Sequence, residues 1–548
     1  MTGTSVDLVV TQARIHTMGE RGTVESMAVQ AGRVVAVGRE VEELIPDARA
    51  VLDLEGATVM PGLVDVHNHH SLAGQMDLFE LSFPPTASLE AVLDAVSDHA
   101  ATLAAGEWVV GGSWGSGLLD ALDSPDALRR LDAAGQGHPV LLKDDSKHNR
   151  WANSAAMTAA GISADSVDPD GGMILRDADG QPTGVMIEAA GAHVEKVRER
   201  LFRTTTEDLA RASARGIEML HAHGITAFQD AAASLQLMTA LHELDEQGGL
   251  HAWVVTSMLA NDFIFGADPL GEDIIAGRER TRSLHHRPDF IKIFLDGVPP
   301  AGTGAFLEPY LKGAGFPACH HGHTTMGPEE LERWLLTTAA RGISAKVHCT
   351  GDASVRMVLD AVARVRAAGH VTPRYHVAHG QFIHPDDVAR FASLDVVADI
   401  SPALWYPGVI TQAIQTVLGE ERGSRLHPNR ALVDAGALVA GGSDWPVSES
   451  PNVWESVYGL VTRKDPTGRF PGELWPEQAL TREEALRVYT TAGAAAMGLD
   501  DTIGSLDAGR SADFVVLSAD PLTAELESIP GITAKQTWFA GRRVHETQ

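Results

Sequence analysis

The sequence predicts an α/β fold: a TIM-like (β/α)8 barrel with an insertion over its mouth, plus a small β-sandwich formed by both termini. Three observations predict it. Short apolar runs alternate with helical stretches through the middle of the chain. Both ends share a β-rich texture punctuated by glycines. One connection, from residue 80 to 200, is far longer than a βα loop requires.

The chain has 548 residues, enough for one large barrel, an insertion and a second module. Strand candidates are GLVDVH (62–67), AFQDA (227–231), WVVTSM (253–258), FIKIFL (290–295), ISAKVH (343–348), RYHVAH (374–379), DVVADIS (395–401) and ALVAGGSD (437–444). Helical patterns lie between and after them, at 329–341, 353–369 and 482–498. Strand-then-helix repetition favours a parallel sheet, and eight such units suggest closure into a barrel. Residues 1–59 and 504–548 are therefore assigned to the β-sandwich, and 60–79 and 201–503 to the barrel. Residues 80–200 are assigned to an insertion contributing to the substrate pocket.

Composition narrows the function. A net charge of −30, from 43 basic and 73 acidic residues, repels phosphate backbones and anionic lipid surfaces. Nucleic acid and membrane are accordingly not expected as partners. The only cysteines, Cys319 and Cys349, suggest no disulfide framework. The start, MTGTSVDLVVTQARIHTM, lacks the basic and apolar regions of a signal peptide. No run approaches the roughly 18–20 apolar residues that span a bilayer. A cytoplasmic location is expected.

Chemistry-bearing residues recur at strand ends. His67 and His69 close the run GLVDV, and residues two apart on a strand share a face, so both imidazoles can reach one ion. Imidazole suits zinc and related metals. His70 alternates to the other face. A solvent-facing or capping pair is the plainer alternative. Lys292 sits inside FIKIFL, where burial of an ammonium is costly unless it is paired, neutralised or modified. A desolvated amine can take up carbon dioxide as a carbamate, an anionic ligand able to bridge two metals. Snorkelling from the strand end, or pairing with Asp296, competes with that reading. His348 and His379 each end an apolar run, where parallel barrels place their active sites. His376 and His384 are rivals to His379, and the odd spacing from His379 sends His376 to the opposite face of a straight strand. Asp444 follows ALVAGGS and can bind a metal or accept a proton, unless it merely caps the next helix.

Seven segments carry a resemblance: MPGLVDVHNH (60–69), LLKDDSKHNRWANSAAM (141–157), IKIFLDGV (291–298), VHCTGDASV (347–355), HVAHGQ (376–381), GGSDWPV (441–447) and GSLDAGRSADFVVL (504–517). As a set they resemble the amidohydrolase superfamily, in particular the YtcJ-like group called amidohydrolase family 3, which includes N-substituted formamide deformylase. The resemblance spans nearly the whole chain. It implies that His67, His69, Lys292, His348, His379 and Asp444 are metal ligands, that Lys292 is carboxylated, and that Asp444 is also the catalytic base. It implies one or two divalent ions, zinc by preference. His148 and Asn153 match a motif of the insertion and are expected to face the substrate. Relatives often carry glutamate where this chain has Ala378, and small or apolar residues where it has Cys349 and Thr350.

The function so implied is a hydrolase of non-peptide carbon–nitrogen bonds. Metal-activated hydroxide would attack an amide or formamide carbonyl, turning an N-substituted formamide into amine plus formate. The expected partner is a small-molecule amide, and the expected assembly a homodimer. Trp114, together with Trp151, Trp405 and Trp445, is a candidate lining for an apolar N-substituent, with core packing as the competing role. A deaminase or cyclic-amide hydrolase on the same scaffold is one alternative, and a non-catalytic metal-binding regulatory protein another. GSWGSG (112–117) lacks the strand, helix and lysine of a nucleotide-binding loop.

Overall fold

A computed structural model describes residues 6–84, 86–144, 149–169, 172–201, 204–262 and 267–547. It divides into two compact units: residues 1–70 with 216–548, and Ser71–Arg215.

The larger unit is built on an eight-stranded parallel sheet. Its strands are β1 (Leu63–Asn68), β2 (Ile225–Ala233), β3 (Trp253–Leu259), β4 (His286–Phe294), β5 (Ser344–Cys349), β6 (Tyr375–His379), β7 (Val396–Ile400) and β8 (Val439–Gly441). All eight expected runs are strands. They are neighbours in chain order, as right-handed βα units require. The sheet closes where the amide of Asp444, just past β8, donates to the carbonyl of His67 on β1 at 2.7 Å.

Helices Pro328–Ala339 and Asp352–Ala367 match their sequence patterns. The expected helix at 482–498 is instead two, Arg482–Val488 and Thr491–Met497. Thr490 between them leaves helical geometry (φ −134°, ψ −101°). The neighbouring Tyr489 carbonyl accepts the Val64 amide of β1 at 2.9 Å. That bond ties the helical layer to the barrel, and an uninterrupted helix would have used the carbonyl internally.

The termini form two further sheets of four and six strands. In the larger, Phe514–Leu517 pairs antiparallel with Thr58–Pro61, so one sheet contains both ends of the chain. Leu8, Val10, Ile15, Met27, Val29, Phe514 and Val516 pack into one apolar cluster that draws on both sheets. Burying one face of each sheet in this way is the sandwich solution.

The second unit has its own five-stranded sheet: Gly172–Arg176, Pro182–Glu188, Asn149–Ala152, Val140–Asp144 and Val109–Trp114, in that spatial order. Its limits lie outside the expected 80–200 at both ends. Two contacts account for the wider span: Arg215 pairs with Asp77 at 2.6 Å, and Arg211 lies over the Phe79 ring.

Candidate metal centre

The C-terminal ends of β1, β5 and β6, and the turn after β8, place five of the candidate residues together. His67 Nε2 and His69 Nε2 lie 3.6 and 3.4 Å from Asp444 Oδ1. One ligand atom from each of these three residues falls within 4.8 Å of the others. The His379 ring packs on His67 at 4.6 Å between centroids, and the His348 ring on His379 at 4.7 Å. Lys292 on β4 is 1% exposed, with its ammonium over the Phe294 ring at 4.7 Å.

Hydrogen bonding sets the tautomers. His67 Nδ1 faces Asp399 Oδ2 at 3.4 Å, and a carboxylate can only accept, so Nδ1 carries the proton. Its Nε2 is buried with no hydrogen-bond partner among the described residues. A buried lone pair left in this way beside a carboxylate and a second imidazole fits a metal ligand. His348 Nε2 donates to the Gly297 carbonyl at 3.2 Å, leaving Nδ1 as its acceptor. His379 Nδ1 meets the Ser401 hydroxyl at 3.1 Å.

Electrostatics agree with the geometry. Burial, then the nearby Lys292 charge, holds the His67 imidazole down to about 3. Burial likewise depresses His348 and His379. These rings are therefore neutral at physiological pH, the form that binds a cation. Burial, joined by the Lys346 charge, pulls Lys292 down to about 8 against the opposing carboxylates of Asp444 and Asp399. Burial alone would raise Asp444, but the hydrogen bond from His69, joined in the acid range by the His379 and His67 rings once they are protonated, outweighs it and holds the carboxyl below its usual range.

Backbone strain marks two of these positions. His379 (φ +68°) and Asp444 (φ +56°) occupy the left-handed region, unusual for residues other than glycine and common at functional sites. At His379 the strain explains an unexpected geometry. His376 and His379 should lie on opposite faces, yet both approach one buried group. His376 Nδ1 is 3.5 Å from Asp399 Oδ2, and His379 packs on the ring that bonds this carboxylate. The left-handed turn brings the second ring back.

One competing reading needs correction. Asp296 does not pair with Lys292. Its carboxylate accepts from the amides of Ala305, Thr350 and Gly351 and from the hydroxyls of Thr350 and Ser354. Trp114 is 1% exposed within the second unit's core, alongside Leu93, Leu131 and Trp151, which is the packing role weighed against a pocket wall. The Asn153 side-chain amide is engaged within the protein. Its Oδ1 caps helix Ser154–Ala159 through the Ala156 amide and accepts the Val140 amide, while Nδ2 donates to the His138 carbonyl. His148 lies outside the described residues.

Several supporting residues lack a strand-end motif. Asp65 accepts four hydrogen bonds, from the His67 amide, the Asn68 amide group, and both the amide and the hydroxyl of Ser443. His70 pairs with Asp230 at 2.9 Å. Lys346, Asp399 and His376 form a fully buried polar group behind His67. The signal for Lys346 and Asp399 is the one that marks Lys292, a charged residue inside an apolar strand.

Known proteins share this architecture. The N-substituted formamide deformylase of Arthrobacter pascens is 29% identical over 98% of this chain and 97% of its own. The putative amidohydrolase YtcJ of Bacillus subtilis is 26% identical over 97% and 98% of the two chains. An uncharacterized metal-dependent hydrolase from Pyrococcus furiosus superposes with a TM-score of 0.75 at 22% identity, covering 94% of this chain and all of that one. The pattern of the amidohydrolase family matches residues 50–545. The chain belongs to the amidohydrolase family, and it is a hydrolase acting on carbon–nitrogen bonds.

Proposed function

We propose that this amidohydrolase cleaves N-substituted formamides to an amine and formate at the centre formed by His67, His69, Lys292, His348, His379 and Asp444. The observation that carries the reading is the convergence of His67, His69 and Asp444 ligand atoms within 4.8 Å at one rim of the barrel. The similarity to the Arthrobacter pascens enzyme over nearly both full lengths supports the choice of substrate.

A divalent ion held by these residues, proposed as zinc from the imidazole and carboxylate donors, would supply acidified water and a polarised carbonyl. The protein's own groups do the rest. His67, His69, His348 and His379 would hold the ion, and the lowered pKa values of His67, His348 and His379 keep those three rings from adding charge. Asp444, kept anionic, takes the proton of the attacking water and returns it to the departing nitrogen, which otherwise leaves as a poor anion. Water adds to the formyl carbon, the carbon–nitrogen bond breaks, and formate and a protonated amine result. Lys292, with its amine drawn down to about 8, is proposed to form a carbamate with carbon dioxide, releasing one proton and becoming an anionic ligand.

The test is product analysis on metal-loaded protein offered a panel of N-substituted formamides, acyl amides, cyclic amides and aminopurines. Formate with a matching amount of amine is the expected result. Ammonia release without formate would replace the reading with a deaminase. Full metal occupancy with no turnover of any substrate would favour a binding protein.

A further inference from the structure

We infer that Lys346 and Asp399 act as a positioning pair, which holds His67 in the one tautomer and tilt that aim its Nε2 at the ion. The inference rests on the reading of His67 as a metal ligand.

Lys346 on β5 and Asp399 on β7 are both 0% exposed. Side chains inside such barrels are usually branched and apolar, so a charge pair here needs a reason. Stability is a weak one, since replacing a buried ion pair with apolar groups is often neutral or stabilising. The bonding is more informative. An ammonium has three protons, and Lys346 has three acceptors: Asp399 Oδ2, the Val66 carbonyl at 2.8 Å and His376 Nδ1 at 3.3 Å. His376 must accept there, because its Nε2 donates to the Ala496 carbonyl at 2.9 Å. Lys346 is thus saturated, and cannot serve as a base or nucleophile without breaking this set.

Asp399 is fixed in turn. Its Oδ2 takes the Lys346 ammonium and also His67 Nδ1 at 3.4 Å, while its Oδ1 has no hydrogen-bond partner among the described residues. A second clamp acts through the backbone: the Val66 carbonyl that accepts from Lys346 immediately precedes His67, so one ammonium holds both the strand and the carboxylate behind the ring. A carboxylate behind a ligand imidazole orients the ring and raises its donor strength, and its loss typically weakens metal binding about 10–100-fold.

The experiment compares the full-length protein with Asp399→Asn, the doubly neutral Lys346→Met/Asp399→Asn, and His67→Asn. It reads zinc affinity by chelator competition, the visible absorption of the cobalt-loaded protein, and thermal unfolding. Asp399→Asn alone leaves a buried ammonium uncompensated and is expected to lose stability. The double variant is expected to regain that stability while binding zinc about 10–100-fold more weakly, with a shifted cobalt spectrum. A double variant with unaltered affinity and spectrum would make the pair purely structural and overturn the inference. A crystal structure of the unaltered, metal-loaded protein gives a check free of mutation: coordination through His67 Nε2 supports the pair's role, and coordination through Nδ1 overturns it. His67→Asn separates the two levels, because unchanged zinc affinity in that variant defeats the ligand reading itself.

Discussion

The amide of Asp444 donates to the carbonyl of His67 at 2.7 Å, so the end of the last barrel strand is fastened to the end of the first. The bond brings the two extremes of the ligand series into one site. Ser443 reinforces it, giving its amide and hydroxyl to Asp65 at 3.0 and 2.6 Å.

This seam has no room for a side chain at Gly442. A Cβ there would lie 2.3 Å from His67 Cβ and 2.8 Å from its amide nitrogen. Gly442→Ala must therefore push β1 and the Asp444 turn apart, at a cost of about 1–3 kcal/mol. Thermal unfolding and zinc titration should both show the loss, and an unaltered midpoint with full metal binding would contradict it.

Asp444→Asn keeps the size of the side chain but removes its charge and its capacity to take a proton. Turnover should fall about 10²–10⁴-fold, with the fold retained. Circular dichroism and formate release measure the two effects, and near-normal turnover would refute Asp444 as the base.

The placements of Trp114 and Asn153 predict loss of stability ahead of any loss of substrate binding. Asn153→Ala removes a helix cap and should cost about 1 kcal/mol. Trp114→Ala empties a core position and should cost about 3–5 kcal/mol. Denaturant unfolding should register both while KM stays level. A raised KM in a variant of unchanged stability would return that residue to the substrate.

Asp513 predicts a pH effect remote from the metal. Burial pushes its carboxyl up to about 6, although the Ala540 amide, the Ser511 hydroxyl and the Trp253 indole all donate to it. A carboxyl with a folded pKa above the unfolded value of about 3.9 adds stability in its protonated form. That contribution is complete below about pH 4 and is lost as pH rises through about 6. Urea unfolding across this window should show a decline of the order of 2–3 kcal/mol attributable to Asp513, absent in Asp513→Asn. Parallel profiles for the two proteins would rule it out.

The barrel strands are legible in the sequence because their signal is local. Eight runs of apolar residues between glycines and helical patterns need no knowledge of their neighbours, and each is a strand. His67, His69 and Asp444 are legible for the same reason, since each lies at the end of a recognisable run. The break at Thr490 is not, because what ends the helix is the demand of Val64, more than 400 residues earlier, for the Tyr489 carbonyl. The bonds of Asn153 are not legible either, because a motif supplies residue types without directions. An amide near a site can cap a helix just as well as bind a substrate.

By itself, then, the order of residues determined the strands, the barrel class and the donor atoms at the strand ends, all of which follow from short-range periodicity and side-chain chemistry. Only the tertiary structure decided how those donors are aimed. Lys346 and Asp399 stand 53 residues apart and become partners through barrel closure, and the left-handed backbone at His379 turns its ring toward His67. Hydrogen-bond direction and backbone strain depend on what lies across the barrel, and no stretch of the chain contains that information alone.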